Sequence, residues 1–93
     1  MKIYKVENIA RRPVWFGNSD VYYTCFICVA NSEDEAKRLH PDDFPLKVKE
    51  DGSFSDGCYG WALSINDVKA TEIGEAAENY TAAEVLCAEG REW

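Results

Sequence analysis

Residues 22–30 read Tyr-Tyr-Thr-Cys-Phe-Ile-Cys-Val-Ala, and this run decides which folds the chain can adopt. It is apolar almost throughout and rich in aromatic and β-branched residues, which favour strands. A strand without polar alternation is typical of the interior of a sheet, where neighbouring layers cover it. We therefore expect residues 22–30 to form a central strand.

A helix start follows this strand directly. Ser32-Glu33-Asp34-Glu35 has the pattern of a capping box, in which the Ser32 hydroxyl accepts from the amide three residues later. Acids fill the first turn, and the bases at the other end match the helix dipole: Lys37, Arg38 and His40. Since Pro41 cannot continue a helix, we expect about two turns ending at His40.

The remaining elements are strands and turns. Residues 3–9 mix apolar and charged positions, as a half-exposed strand does, and residues 68–73 form a second such run before Gly74. Asp51-Gly52 is a hairpin signal, so residues 46–60 are expected to be a minor hairpin or an ordered loop. Residues 81–90 fit either a capped helix or an edge strand, and the pattern leaves both open.

Length and composition restrict the class of protein. The chain has 93 residues, of which 46% are hydrophobic, and this is enough for one α+β domain, residues 1–93, around one core. No apolar run approaches the length of about 20 residues that a membrane-spanning helix needs. The first residues contain no apolar signal core. We expect a cytoplasmic protein with no membrane contact.

The charge is unevenly distributed. Residues 1–49 hold seven acids and eight bases, whereas residues 50–93 hold ten acids and only two bases. Arg11-Arg12 with Lys2 and Lys5 is the only basic cluster, so we expect no direct nucleic-acid binding. The acids could dock on a basic protein, imitate DNA or serve only solubility. The candidate partner-binding residues are Trp15, Glu72, Glu75, Glu78, Glu84, Glu89 and Glu92.

One geometric objection weakens a continuous acidic row. Glu84 and Glu89 are five residues apart, and on a regular strand they would point to opposite faces. Aromatic residues offer a second kind of surface, because exposed aromatics are enriched in binding hot spots. We expect Trp61 in the core and Trp15 exposed.

No constellation for catalysis or metal binding is present. Cys25 and Cys28 form a C-x-x-C, but residues three apart on a strand face opposite ways, and no second pair exists. The four cysteines are expected as reduced thiols. His40 is the only histidine and has no nucleophile motif beside it. We expect no enzyme, no catalytic residue, no cofactor and no metal.

Several stretches in this order resemble a group of small proteins of tailed bacteriophages and prophages. They are Asp20 to Thr24, the helix pattern of Ser32, Glu35, Ala36, His40 and Pro41, then Gly60-Trp61, Asn66-Asp67-Val68, Glu72-Ile73-Gly74-Glu75-Ala76 and Val85 to Ala88. Tyr23 stands where that group often has aspartate, and residues 43–59 have no counterpart. The resemblance implies strand-strand-helix-strand-strand, which favours a strand at 81–90.

These observations combine into one expectation. We expect an antiparallel sheet of about four strands with one short helix and a variable loop or minor hairpin. We expect a non-enzymatic accessory protein in a bacterial host cell that binds a basic host protein, such as a defence component. The alternatives are a small-ligand-binding or enzymatic oligomer with an aromatic-lined pocket and a minor structural protein of the virion. The sequence leaves the host target, the ligand and association into a homodimer open.

Overall fold

A computed structural model describes residues 1–9, 21–55 and 61–92, with only the backbone described at 21, 22 and 90–92. Ile65–Asp67 form a 3-10 turn. The other elements, in chain order, are β1 (Lys2–Asn8), β2 (Val21–Ala30), α1 (Glu33–Lys37), β3 (Leu39–His40), β4 (Phe44–Pro45), β5 (Val68–Glu75) and β6 (Glu84–Glu92).

In the described part of the chain, four strands form one antiparallel sheet in the order β5-β1-β2-β6. The apolar strand β2 lies inside the sheet, as its composition predicts, and both edges come from the last third of the chain. The ambiguous segment 81–90 belongs to the edge strand β6 and not to a helix. The predicted antiparallel sheet with little helix is confirmed.

Helix α1 is shorter than predicted. The Ser32 hydroxyl accepts from the Glu35 amide at 3.1 Å, which confirms the cap, while the Glu35 carboxylate accepts from the Asn31 amide at 2.8 Å. The helix ends at Lys37 because the Arg38 carbonyl accepts from the distant Leu46 amide at 2.6 Å. The chain then continues into the two-stranded β3–β4 sheet, so the expected placement of His40 in the last helical turn is wrong.

The expected minor hairpin is present over residues 46–55. Val48 and Phe54 form a bridge, and the Lys49 amide donates to the Ser53 carbonyl at 2.8 Å. Gly52 closes the turn at φ +89°, a conformation that side-chain-bearing residues rarely adopt. The rest of the predicted loop, residues 56–60, lies outside the described residues.

The core lies between one face of the sheet and the layer formed by α1, β3–β4 and the hairpin. We call this side of the sheet the inner face, and its buried residues are Tyr4, Val6, Phe26, Cys28, Ala30, Val68 and Ala70. Trp61 is fully buried, as predicted, and its ring centroid lies 5.2 Å from that of Phe26. Burying such rings contributes a large share of the free energy that holds a small core together.

Among the described residues, three β-bulges change which side chains share a face. The extra residues are Thr24 in β2, Ile73 in β5 and Leu86 in β6. Each inserts one residue against its partner strand and reverses the alternation beyond it. The bulge at Thr24 brings Tyr23 to the inner face, where it packs against the core.

Candidate functional site

The structure separates the candidate acids into two groups. Glu72 and Glu75 lie on β5, whereas Glu84, Glu89 and Glu92 lie on β6, at the opposite edge of the sheet. Glu78 is exposed in the connection between these strands. The side chain of Glu92 and all of Trp15 lie outside the described residues. The prediction that Trp15 is exposed therefore concerns a residue that the structure does not describe. The five described candidates therefore do not form one surface.

Glu72 is already neutralised by a base on β1. Its carboxylate lies 3.1 Å from the Lys2 ammonium, with both side chains about half exposed. Hydrogen bonding and charge attraction from Glu72 raise the pKa of Lys2. An exposed pair of this kind contributes little to stability, but it removes Glu72 from any free acidic surface.

Glu84 and Glu89 lie on the same face, which corrects the expectation from their spacing. Glu84 pairs with Val29 and Glu89 pairs with Cys25, and these two partners lie four residues apart on β2. The extra residue Leu86 restores the alternation between the two acids. The Cys25 thiol donates to the Glu89 carboxylate at 3.6 Å, which agrees with this placement.

Two further acids lie beside β6, in the turn between β3 and β4. Asp43 adopts φ +68°, and its carboxylate accepts from the Val85 amide at 2.9 Å. Asp42 accepts from the Tyr23 hydroxyl at 2.5 Å. The sequence analysis missed both, although two consecutive acids directly after Pro41 signalled an acidic turn. We call Asp42, Asp43, Glu84 and Glu89 the acidic edge.

No Lys or Arg among the described residues forms an ion pair with the acidic edge. The described ion pairs of Lys and Arg are Lys2–Glu72 and Arg38–Asp34, and neither involves this group. Leu86 lies in the middle of the edge and is 41% exposed. An apolar contact surrounded by carboxylates suits a basic partner that also carries apolar side chains.

His40 lies beneath the acidic edge and is fully buried. Its ring stacks on Phe44 with centroids 4.4 Å apart, and its Nδ1 accepts from the Asp42 amide at 3.0 Å. The same Nδ1 lies 3.7 Å from the Asp42 carboxylate, so both the amide and the side chain of Asp42 lie beside this ring nitrogen. His40 therefore supports the turn that positions Asp42.

Tyr23 and the thiols show no sign of activation. The hydrogen bond to Asp42 raises the pKa of Tyr23 to about 12. Burial raises the pKa of Cys28 to about 12 and also raises the pKa of Cys25. Groups that hold their protons this tightly are poor bases and nucleophiles at neutral pH. Cys25, Cys28 and Cys87 are free thiols, and the described residues include no cluster of three metal ligands.

An open groove of about 550 Å³ lies beside α1. None of the described residues that line it is aromatic. They are Asp34 and Glu35 of α1, the flanking Ser32 and Arg38, and Leu39, Pro45, Leu46 and Ala83. The Arg38 guanidinium at its rim is held by Asp34 at 2.8 Å. The groove therefore differs from the aromatic-lined pocket considered as an alternative from the sequence.

Comparison with known proteins returned no match to a protein-family model, to a curated protein or to a solved structure. Among the described residues, no helix has the length and apolar character needed to cross a membrane.

Proposed function

We propose that this chain is a non-enzymatic accessory protein of a bacteriophage or prophage that binds a basic host protein through the acidic edge. The proposed location is the cytoplasm of the bacterial host, and a component of a host defence system is one class of partner. The resemblance described above supplies the biological setting. The observation that carries the proposal is the bulge at Leu86, because it puts Glu84 and Glu89 on one face.

The arrangement of the acidic edge supports a protein partner of extended shape. Asp42 and Asp43 flank β6 from the inner side, and Glu84 and Glu89 flank it from the other side. Leu86 lies between them and can anchor an apolar side chain. Carboxylates around an exposed leucine steer a basic partner electrostatically and then hold it by apolar burial.

A pull-down from bacterial lysate with a charge-matched pair of variants tests the proposal. Glu84→Lys reverses one charge in the acidic edge, whereas Glu50→Lys reverses an exposed charge in the hairpin turn. We expect the wild type and Glu50→Lys to retain the same bound protein at low salt. Glu84→Lys should retain it several-fold less, and high salt should release it from all three.

Two results count against this function. If the wild type retains no protein above background, the acidic edge is not a docking surface for a host protein. If Glu84→Lys and Glu50→Lys retain equal amounts, binding depends on net charge or on another surface.

A further inference from the structure

The groove beside α1 opens directly next to the acidic edge. Pro45 lines the groove and follows Asp43 by two residues. Ala83 also lines it and directly precedes Glu84. The hydrogen bond from the Val85 amide to Asp43, at 2.9 Å, holds these two segments together. Because consecutive Cα atoms lie about 3.8 Å apart, one short segment of a bound protein can contact both the groove and the acidic edge.

The wall of the groove is mainly apolar. Leu39 and Leu46 are almost fully buried, Ala83 is half-buried and Pro45 is exposed. The volume of about 550 Å³ falls within the range of roughly 300–1,000 Å³ that is typical of ligand sites. Such sites enclose most of a small molecule, whereas this groove is open to solvent. Its shape therefore suits a side chain that enters from a bound protein whose backbone stays outside.

The charges around the groove favour a cationic partner. Three of the lining residues are charged, namely Asp34, Glu35 and Arg38. The Arg38 guanidinium donates to the Asp34 carboxylate at 2.8 Å, so its charge is already compensated. The Glu35 carboxylate accepts from the uncharged Asn31 amide, and no described Lys or Arg forms an ion pair with it. The charge of Glu35 therefore adds to the four acids of the acidic edge.

We propose that the groove holds an apolar side chain from an extended segment of the protein partner that is rich in lysine or arginine. The basic neighbours of that side chain contact Glu35 and the adjoining acids of the edge, Asp43 and Glu84. This inference rests on the proposed function and deepens it, because it names the part of the partner that binds. Burial of the apolar side chain supplies affinity, and the carboxylates select a basic segment over an acidic one.

Titration of the isotope-labelled protein with three synthetic peptides, followed by NMR, tests the proposal. The peptides have blocked termini and are Lys-Lys-Leu-Lys-Lys, the same sequence with Ser in place of Leu, and Glu-Glu-Leu-Glu-Glu. The basic leucine peptide should shift the amide signals of Leu39, Leu46 and Ala83 in a saturable way. It should bind about tenfold more tightly than the serine peptide, because it buries apolar surface. The acidic peptide should leave these signals unchanged.

A matched pair of tryptophan variants locates the bound side chain. Ala83→Trp fills the groove, whereas Ala82→Trp puts the same ring at an exposed neighbour that is not among the described lining residues. Ala83→Trp should lower the affinity for the leucine peptide to that for the serine peptide, and Ala82→Trp should bind both peptides as the wild type does. The amide spectrum shows whether each variant is folded. The comparison of the two basic peptides on the wild type needs no variant, so the test stands even if Ala83→Trp does not fold.

Three results overturn the proposal. They are equal affinities of the wild type for the two basic peptides, peptide binding that leaves the signals of Leu39, Leu46 and Ala83 unaffected, and a folded Ala83→Trp that still prefers the leucine peptide. The proposed function can fail separately, because the pull-down depends on Glu84 and on a host protein. If the leucine peptide binds in the groove while the pull-down retains no host protein, the proposed function is wrong and the groove remains a peptide site.

Discussion

Tyr23 and His40 meet at right angles in the core, with ring centroids 6.1 Å apart and planes inclined by 88°. The Tyr23 hydroxyl extends past the His40 ring to Asp42, and the Asp42 amide donates back to His40 Nδ1. The bulge at Thr24 makes this arrangement possible, because it brings Tyr23 to the inner face. The three residues connect the centre of the sheet to the acidic edge.

Tyr23→Phe should lower the free energy of unfolding by about 0.5–1.5 kcal/mol, because it deletes one hydrogen bond and keeps the packing on His40. Urea denaturation measures the change, and Tyr80→Phe serves as a control, since no hydrogen bond of its hydroxyl is described. If Tyr23→Phe unfolds at the same urea concentration as the wild type, the Tyr23 hydroxyl contributes nothing to the free energy of unfolding.

Tyr23→Phe also tests how the stability of the protein changes at alkaline pH. The pKa of Tyr23 is raised from 10.0 to about 12, so the folded state holds this proton more tightly than the unfolded state. Its contribution to stability is therefore complete below pH 10 and is lost as the pH rises toward 12. The stability difference between wild type and Tyr23→Phe should shrink over this interval, and a constant difference would contradict the assignment.

His40→Ala should destabilise the protein by about 2–4 kcal/mol, because it leaves a cavity between Tyr23 and Phe44 and removes the acceptor of the Asp42 amide. Leu63→Ala is the control: Leu63 is 48% exposed, and its truncation should change stability by less than about 0.5 kcal/mol. Thermal or urea unfolding compares the two. Equal costs would mean that His40 is not part of the packed core.

Asp43 combines a left-handed backbone with a side-chain hydrogen bond to an edge amide. Asparagine tolerates this backbone and keeps an acceptor oxygen, so Asp43→Asn should cost less than about 0.5 kcal/mol. Asp43→Ala loses the acceptor and keeps the strained φ, which should cost about 1–3 kcal/mol. Hydrogen exchange at Val85 should accelerate in Asp43→Ala alone. Comparable exchange in both variants would refute the role of the carboxylate.

Gly52 and Gly74 provide a matched pair. A Cβ at Gly52 would lie 2.8 Å from Asn66 Nδ2 in a residue with φ +89°, whereas a Cβ at Gly74 would find only Ile3 Cδ1, at 4.0 Å. Gly52→Ala should therefore destabilise by more than about 1 kcal/mol, while Gly74→Ala should be neutral or slightly stabilising. Chemical denaturation ranks the two, and the reverse order would contradict the described turn.

The sheet was predictable because its signals are local and strong. The apolar run 22–30 has too few polar positions for an edge, and Ser32 with Glu35 marks the only well-capped helix start in the first half. The helix length was not predictable in the same way. Its end depends on the Arg38 carbonyl accepting from Leu46, a contact set by tertiary structure.

The acidic edge was predictable only in part. Composition identified Glu84 and Glu89, but their common face depends on one extra residue in β6, and residue spacing cannot reveal a register shift. Asp42 and Asp43 lie far from β6 in sequence and reach it only because β3–β4 folds beside β2. Glu72 was predicted to contribute to a partner-binding acidic surface, but Lys2 from the other end of the chain neutralises its charge.

The strand order has a consequence for the time course of folding. β1 and β2 emerge first from the ribosome, but each acquires its second neighbour only when β5 and β6 arrive from the other end of the chain. Such non-local pairing makes folding slow, because long loops must close before contacts compensate for the lost entropy. Until then β1 and the apolar strand β2 have unpaired edges, a state prone to aggregation. Because both edge strands carry acids, completing the sheet replaces these edges with charged strands.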